Sequence, residues 1–156
     1  MRIVLQRVNR ASVNVEGETT GRIEIGLLAL VGVAGGDDEN DAMAAAVKIV
    51  GMRIFPDADG KMNRSVADVG GAVLLVSQFT LLGDVRRGRR PAFTAAASPD
   101  RAVPILKTLA DVIEATGVTV EHGRFGAHMV VDLVNDGPVT IVFDVKDGRV
   151  VAQESG

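Results

Sequence analysis

The sequence predicts an α+β fold in a single domain, with a mainly antiparallel, barrel-like β-sheet and two helices packed on it. The chain of 156 residues contains 25 valines and 18 glycines, a composition that favours many short strands joined by tight turns. Only two segments carry apolar residues at the helical spacing. The length fits one domain, and no repeat, linker or shift in composition divides the chain.

The first part of the chain is expected to form strands. Residues 2–8 and 12–15 are predicted as two strands, followed by a turn at 16–18 and a third strand at 21–25. The nearly continuous apolar run at 27–33 is typical of a strand that is buried on both faces.

A first helix is predicted after two glycines at 35–36. The acidic stretch 37–41 offers N-cap residues and places negative charge at the helix N-terminus, where it is stabilising. Four apolar residues then follow at helical spacing and predict the buried face: Met43, Ala46, Val47 and Val50.

A second helix is predicted to begin with Ser98 as the N-cap and Pro99 at the first position, and to stop before Gly117. Pro104 has no backbone N–H, so we expect a kink or a later start. The predicted buried stripe consists of Leu106, Leu109, Ala110 and Ile113.

The remaining segments extend the sheet. We predict a hairpin turn at 57–60, a strand at 72–80, and two strands at 127–134 and 139–145 joined by a turn at 135–137. We assign residues 1–145 to the domain and residues 146–156 to a C-terminal tail.

Composition excludes several kinds of chemistry. The chain has no cysteine and only two histidines, which rules out disulfides, thiol catalysis, iron–sulfur clusters and zinc sites that use cysteine. His122 and His128 lack an obvious third ligand, so we expect no metal and no cofactor. The net charge of −3 argues against non-specific coating of nucleic acid. With no targeting signal and no apolar run long enough to span a membrane, we expect a cytoplasmic protein without a membrane partner.

Glycines at 32–36, between a strand and a helix, have two interpretations. A phosphate-binding loop would use the helix N-terminal amides. However, the spacing fits neither common phosphate-loop pattern, and Asp37 and Asp38 would repel a second anion. We favour a capped turn.

A basic run stands out on this acidic protein, with four arginines in five residues: Arg86, Arg87, Arg89 and Arg90. Charge runs are usually solvated loops. Arginine is also the residue best suited to bidentate phosphate recognition, and this run follows a strand that ends in polar side chains. Both a plain surface loop and a site for a phosphate-bearing partner remain open.

Two further motifs are ambiguous when taken singly. Ser77, Gln78 and Thr80 follow a buried apolar run, where they form either a structural polar network or a site. Gly137 and Pro138 fit a hairpin turn, with the proline opening the next strand, but they also leave two bare carbonyl groups free to face outward.

In combination, the motifs resemble the D-aminoacyl-tRNA deacylase family. They are Ser77-Gln78-Phe79-Thr80-Leu81, the Arg-Gly-x-Arg-Pro-x-Phe loop at 87–93, and Asn-Asp-Gly-Pro-Val-Thr at 135–140, in this order. Further matching segments lie at 6–8, 11–13, 53–55, 60–63, 68–71 and 125–127, so the resemblance covers residues 1–145.

This resemblance implies a homodimer with active sites at the subunit interface. The reaction would be hydrolysis of the ester that joins a D-amino acid, or glycine, to the 3′-terminal adenosine of tRNA. Ser77, Gln78, Phe79 and Thr80 would form one wall of the pocket. Gly137 and Pro138, joined by a cis bond in this family, would enter from the partner chain, where their carbonyl groups would clash with an L side chain. Phe125 and the four arginines of the basic run would contact the substrate.

The composition fits this chemistry because an aminoacyl ester is already activated. Backbone amides near Phe79 and Thr80 would stabilise the oxyanion. Thr80 is the only plausible side-chain nucleophile, but no base is visibly placed to activate it, so we hypothesise that the ribose 2′-hydroxyl assists and that Thr80 orients the ester. The rival interpretations are a small-molecule or nucleotide-binding enzyme that uses residues 32–36 and a non-catalytic RNA-binding oligomer.

Overall fold

The computed structural model describes residues 1–152, and residues 153–156 of the predicted tail lie outside the described part. Within it, nine strands, two α-helices and one 3-10 helix form a single domain. In chain order they are β1 (Arg2–Val15), β2 (Glu18–Ile23), β3 (Gly26–Gly32), α1 (Glu39–Gly51), β4 (Phe55–Pro56), β5 (Met62–Arg64), β6 (Ala72–Ser77), the 3-10 helix (Phe79–Leu82), α2 (Pro99–Glu114), β7 (Thr119–His122), β8 (Val130–Lys146) and β9 (Arg149–Val151).

The α+β prediction is confirmed, with two helices packed on one curled sheet. Seven strands run in the order β7-β6-β3-β1-β8-β9, with β2 also paired to β1, while β4 and β5 form a separate hairpin. Most pairs are antiparallel, but β3–β6 and β6–β7 are parallel, so the sheet is mixed. Neither α1 nor α2, nor any other helix within residues 1–152, is long and apolar enough to cross a bilayer.

The prediction of two strands at 2–8 and 12–15 was wrong, because β1 is continuous. Asn9 is an extra residue in the pairing of β1 with β8, where Val8 and Arg10 pair with the consecutive residues Asn135 and Val134. An extra residue of this kind reverses which side chains face which side of the sheet. β1 therefore contributes Ile3 to the core beneath the helices and Val13 to a second core inside the curl of the sheet.

The predicted hairpin around residues 135–137 was also wrong, because β8 runs through this region in one direction. Residues 136–139 stand opposite the single residue Arg7 and form a wide bulge. The Asn135 side-chain amide spans its base by donating to the carbonyl of Arg7 (2.9 Å) and the carbonyl of Val139 (3.0 Å). These bonds return the chain to the same strand instead of reversing it.

The N-terminus of α1 is capped as predicted, but its buried face was assigned only partly correctly. Asp38 and Asp41 form a capping box. The helix buries small residues and Ile49 and leaves Met43 and Val47 exposed, the latter by 70%. Of the predicted stripe, Ala46 is buried and Val50 is partly buried against the core, so only Met43 and Val47 were wrong. This alanine-rich helix has several apolar faces, and its alanine face packs against the neighbouring elements.

Helix α2 agrees better with the prediction. Ser98 is its N-cap, Pro99 stands in its first turn, and all four residues of the predicted stripe are buried. Of the two effects expected of Pro104, a kink or a later start, the later start was wrong, because the helix begins at Pro99 and continues through Pro104.

Candidate active site

The polar residues after β6 lie on a short 3-10 turn. β6 ends at Ser77, the amide of Gln78 still donates to the Val31 carbonyl (2.8 Å), and the chain then winds into the 3-10 helix. The prediction that the strand extends to residue 80 was therefore wrong. The turn leaves Phe79 and Thr80 exposed at the end of an otherwise buried strand.

This turn presents two unused backbone donors. The first N–H groups of a helix have no partner within the helix. Those of Phe79 and Thr80 donate to no acceptor within residues 1–152, and Gln78 supplies no side-chain cap. Two adjacent N–H groups are thus available to an external oxygen atom.

The hydroxyl of Thr80 is held by a neighbouring amide. The Gln78 side-chain amide donates to Thr80 Oγ1 at 3.0 Å. In the part of the chain that the structure describes, no histidine, lysine or carboxylate forms a hydrogen bond with this hydroxyl. The contact orients Thr80 but gives it no base.

Phe79 is supported from one side by Phe93. The two rings meet edge to face, with centroids 5.1 Å apart and an interplanar angle of 78°. Gly83 allows this approach, because a Cβ atom there would stand 2.9 Å from Phe93 Cε1. Phe79 nevertheless remains 53% exposed, so part of its surface is available for contact with a ligand or another chain.

A cavity of about 350 Å³ opens beside this wall. Ser77 and Phe125 both line it, so the structure brings these two predicted site residues together. The other side is formed by α2, including Leu106 and Lys107. Asp111 accepts a hydrogen bond from Lys107 and raises the pKa of that amine.

Gly137 and Pro138 lie at the exposed tip of the β8 bulge, and the peptide between them is cis. Arg7 lies beneath them with only 10% of its side chain exposed. It donates from Nη1 to the Ile54 carbonyl at 2.6 Å, and its Nε lies 3.1 Å from Asp136 Oδ2 without an aligned hydrogen bond.

One chain does not bring this bulge to the wall formed by residues 77–80. Across the sheet, Arg7 is level with Leu27 and Val73, whereas Ser77 lies four residues further along β6. This corresponds to about 13 Å along the strands and, over three strand spacings from β8 to β6, about 14 Å across them. The two halves of the predicted site are therefore at different places on one protomer.

The basic run forms a closed loop directly after the 3-10 helix. Backbone hydrogen bonds between Asp84 and Ala92 (2.8 and 2.9 Å) join its two ends. Arg86 donates to both carboxylate oxygens of Asp84 (2.9 and 2.7 Å) and lowers the pKa of that carboxyl to about 2. The other three arginines are exposed and form no ion pair with any residue from 1 to 152.

The glycine-containing segment 32–36 forms a turn whose polar groups are satisfied by the side chain of Asp37. The buried Asp37 carboxylate accepts hydrogen bonds from the Met1 ammonium (2.7 Å) and the Ala34 amide (2.6 Å). Asp38 caps the helix that follows. The interpretation as a capped turn is confirmed.

Three residues that shape the site were missed in the sequence. Arg7, Asn135 and Asp84 hold the bulge and the basic loop, yet none of them belongs to the predicted set. Arg7 did carry a signal, because a charged residue stands between the apolar residues of a strand. The roles of Asn135 and Asp84 depend on distant or non-helical contacts that spacing does not reveal.

Comparison with known proteins finds similarity along nearly the whole chain. The family described as D-Tyr-tRNA(Tyr) deacylase matches residues 4–144. The D-aminoacyl-tRNA deacylase of Halalkalibacterium halodurans is 56% identical over 146 residues, which cover 94% of this chain and 100% of that one. The enzyme of the same name from Koribacter versatilis is 58% identical over 146 residues, covering 94% and 98% of the two chains. The solved structure of a c-Myc DNA unwinding element binding protein superposes with a TM-score of 0.85 at 36% identity, covering 92% and 98%. The chain belongs to the D-Tyr-tRNA(Tyr) deacylase family.

Proposed function

We propose that this protein hydrolyses the ester of D-aminoacyl-tRNA, and that of mischarged glycyl-tRNA, to free amino acid and tRNA, while rejecting L-aminoacyl-tRNA. Membership of the family makes it a D-aminoacyl-tRNA deacylase, a hydrolase of aminoacyl-tRNA esters. The observation that carries the finer proposal is the pair of unused N–H groups on Phe79 and Thr80. They follow closely on Ser77, the residue of the wall that lines the cavity.

These two donors suit the charge that develops during ester hydrolysis. Water adds to the carbonyl carbon, and the carbonyl oxygen becomes negatively charged before the ester C–O bond breaks and the ribose oxygen takes a proton. A preorganised donor at that oxygen contributes about 2.7–4 kcal/mol to lowering the barrier. The adjacent ribose 2′-hydroxyl assists the reaction, and Thr80, held by Gln78, orients the ester.

The cavity of about 350 Å³ offers a place for the terminal adenosine. Ser77, Gln78, Phe79 and Thr80 form one wall of the amino-acid pocket. Phe125, which is 41% exposed at the cavity rim, provides an aromatic surface for the base. Residues 1–145 carry the activity, the segment from residue 146 onward supplies no residue to the site, and the protein acts in the cytoplasm.

We assign the active form to a homodimer because one chain separates the two halves of the site. A two-fold axis that carries the bulge of one protomer to the wall of the other must pass midway between them, between β1 and β3. The residues there, on the face opposite the helices, form an apolar row of Val4, Leu30 and Val142, of which Val142 is 43% exposed. A self-complementary apolar patch is what a two-fold interface requires.

In that dimer the bulge discriminates between the two configurations. The carbonyl groups of Gly137 and Pro138 enter the pocket of the partner and occupy the space that an L side chain would need. A D side chain points elsewhere, and glycine has no side chain to reject. Selectivity therefore comes from a penalty on the wrong substrate.

The direct test follows ester loss from D-tyrosyl-, L-tyrosyl- and glycyl-tRNA. We expect hydrolysis of the D and glycyl esters and none of the L ester above the spontaneous rate. Equal loss of the D and L esters would contradict the role of the bulge, and no loss of any ester would contradict the catalytic proposal.

A further inference from the structure

The basic loop, residues 84–92, begins and ends next to the 3-10 turn that carries the proposed site. Its first residue, Asp84, follows Gly83, whose amide donates to the Thr80 carbonyl at 3.0 Å. At its other end, Phe93 packs on Phe79. Both ends are thus tied to the two residues that carry the free N–H groups, and the loop cannot move far without moving them.

The four arginines of this loop do not have the same surroundings. Asp84 accepts from Arg86 through both carboxylate oxygens, and it also accepts from the backbone amide of Arg86 at 2.9 Å. Arg87, Arg89 and Arg90 point into solvent without an ion-pair partner within residues 1–152. Three guanidinium groups are left for an anionic partner, and one serves the loop itself.

The dimensions of the loop limit which anions these groups can reach. Seven residues lie between Asp84 and Ala92, so the loop extends at most about 12 Å from its base. A stacked nucleic-acid strand advances about 3.4 Å per nucleotide. Three stacked nucleotides span about 10 Å, which matches the size of this loop, so a short single strand whose terminal adenosine lies in the cavity is the partner that the loop fits best.

We propose that Arg87, Arg89 and Arg90 bind the phosphates of the last three nucleotides of the tRNA acceptor end, and that Asp84, acting through Arg86, is a positioning residue for this loop. The inference rests on the proposed function, since it takes the ester to lie at residues 77–80. It assigns the basic loop to the single-stranded end of the substrate and not to its double-stranded part.

The test compares D-tyrosyl esters of adenosine, of a 5′-phosphorylated cytidine-cytidine-adenosine trinucleotide, which carries three phosphates, and of full-length tRNA. The triple variant R87A/R89A/R90A is expected to lose about tenfold or more in kcat/KM on the trinucleotide, with an equal loss on tRNA and a smaller one on the adenosine ester. The slope of log KM against log salt concentration should fall by about 2 for the trinucleotide, since three contacts to a single strand contribute about 0.7 each.

A charge-matched control removes three exposed cations that lie outside the basic loop, one on α1 and two at the turn between β8 and β9, as K48A/K146A/R149A. Its kinetics on the trinucleotide should follow those of the wild type. A loss for R87A/R89A/R90A that appears only with full-length tRNA would overturn the proposal in favour of contacts to the tRNA body. Wild-type hydrolysis of the adenosine ester reports on the proposed function separately.

The positioning role is tested with D84N, R86A and the double variant. Each single variant should raise KM for the trinucleotide several-fold with kcat retained, and the double variant should raise it no further, because both remove the same pair. The melting temperature should stay constant, since an exposed ion pair contributes little to stability. A KM unchanged in D84N and R86A would contradict this part of the proposal.

Discussion

Arg7 shows how one charged side chain holds a backbone excursion in place. Its guanidinium lies under the β8 bulge, bonded to the Ile54 carbonyl and close to the Asp136 carboxylate. A buried cation is costly unless it is paired. The pairing with Asp136 therefore ties the base of the bulge to β1 at the residue next to Gly137.

Gly137→Ala should destabilise the protein by about 1–3 kcal/mol, because a non-glycine residue rarely adopts its φ of +122°. The added Cβ would also stand 2.8 Å from Val139 Cγ2 and 3.0 Å from Arg7 Nη2. Urea unfolding measures the effect. Gly51→Ala is the control, because it has no neighbour within 4 Å and no positive φ. Equal stabilities of the two variants would refute this account.

Asp84 should titrate well below an ordinary aspartate. The hydrogen bonds from Arg86 lower its pKa from 3.8 to about 2, so the ion pair is complete above pH 4 and is lost as the pH falls through 2. An NMR titration of the side-chain carboxyl carbon measures this midpoint. In Arg86→Ala the midpoint should return towards 3.8. An unchanged midpoint would mean that other contacts hold the pKa down.

Thr80→Ala should reduce turnover of the D ester without abolishing it, because in the proposed mechanism the hydroxyl orients the ester and is not the nucleophile. Single-turnover kinetics with mass spectrometry should reveal no acyl-enzyme in the wild type or in Thr80→Ser. Loss of all activity in the alanine variant, with recovery and a trapped acyl-enzyme in the serine variant, would show that Thr80 is the nucleophile.

At the scale of elements, Asp41 links two parts of the fold that are far apart in sequence. One carboxylate oxygen accepts from the Asp38 amide (3.0 Å) at the start of α1. The other accepts from the Gly148 amide (2.9 Å) in the turn between β8 and β9. The Asp41 residue is buried, and both of its hydrogen bonds are partly buried.

Asp41→Ala should therefore cost about 1–3 kcal/mol of the free energy of unfolding, because it leaves two amides without their acceptor. Glu39→Ala, an exposed acidic residue in the same helical turn, should change it by about 0.5 kcal/mol or less. Denaturant unfolding of both variants gives the comparison. Equal small effects would show that the link between α1 and the turn adds no stability.

The elements also show where sequence patterns are informative. Helix α2 could be predicted with its cap and buried stripe, because a proline start and a strong apolar spacing are local signals. The bulge in β8 could not be predicted, because an Asn-Asp-Gly-Pro segment is equally typical of a hairpin turn and only the side chain of Asn135 decides the direction. The 3-10 turn was missed for a similar reason, since Gln78, Phe79, Thr80 and Leu81 alternate polar and apolar side chains as a continuing strand would.

At the scale of the molecule, the candidate site is divided over a sheet whose order puts β6 and β8 three spacings apart. The two motifs that form the candidate site, at residues 77–81 and 135–140, were recognisable in the sequence because each is a short contiguous segment. Their separation on one chain follows from strand order and register, which short motifs do not encode. In the proposed homodimer, the bulge of one protomer would complete the site on the wall of its partner.

Val142→Asp should convert the protein to monomers and abolish hydrolysis of the D ester, because the charge would be buried at the proposed two-fold axis. Val47→Asp, on the outward face of α1, is the matched control and should remain dimeric and active. Light scattering after size-exclusion chromatography reports the mass. An active monomer would contradict the shared site.

The course of β1 has a further consequence for the whole chain. This strand pairs with β8 along one edge and with β2 and β3 along the other, and it supplies side chains to both cores. Neither core persists without it, so the chain cannot be split into a helical half and a barrel half that fold separately. Hydrogen exchange at the centre of β1 should accordingly require global unfolding, and its amides should be the slowest to exchange in the protein.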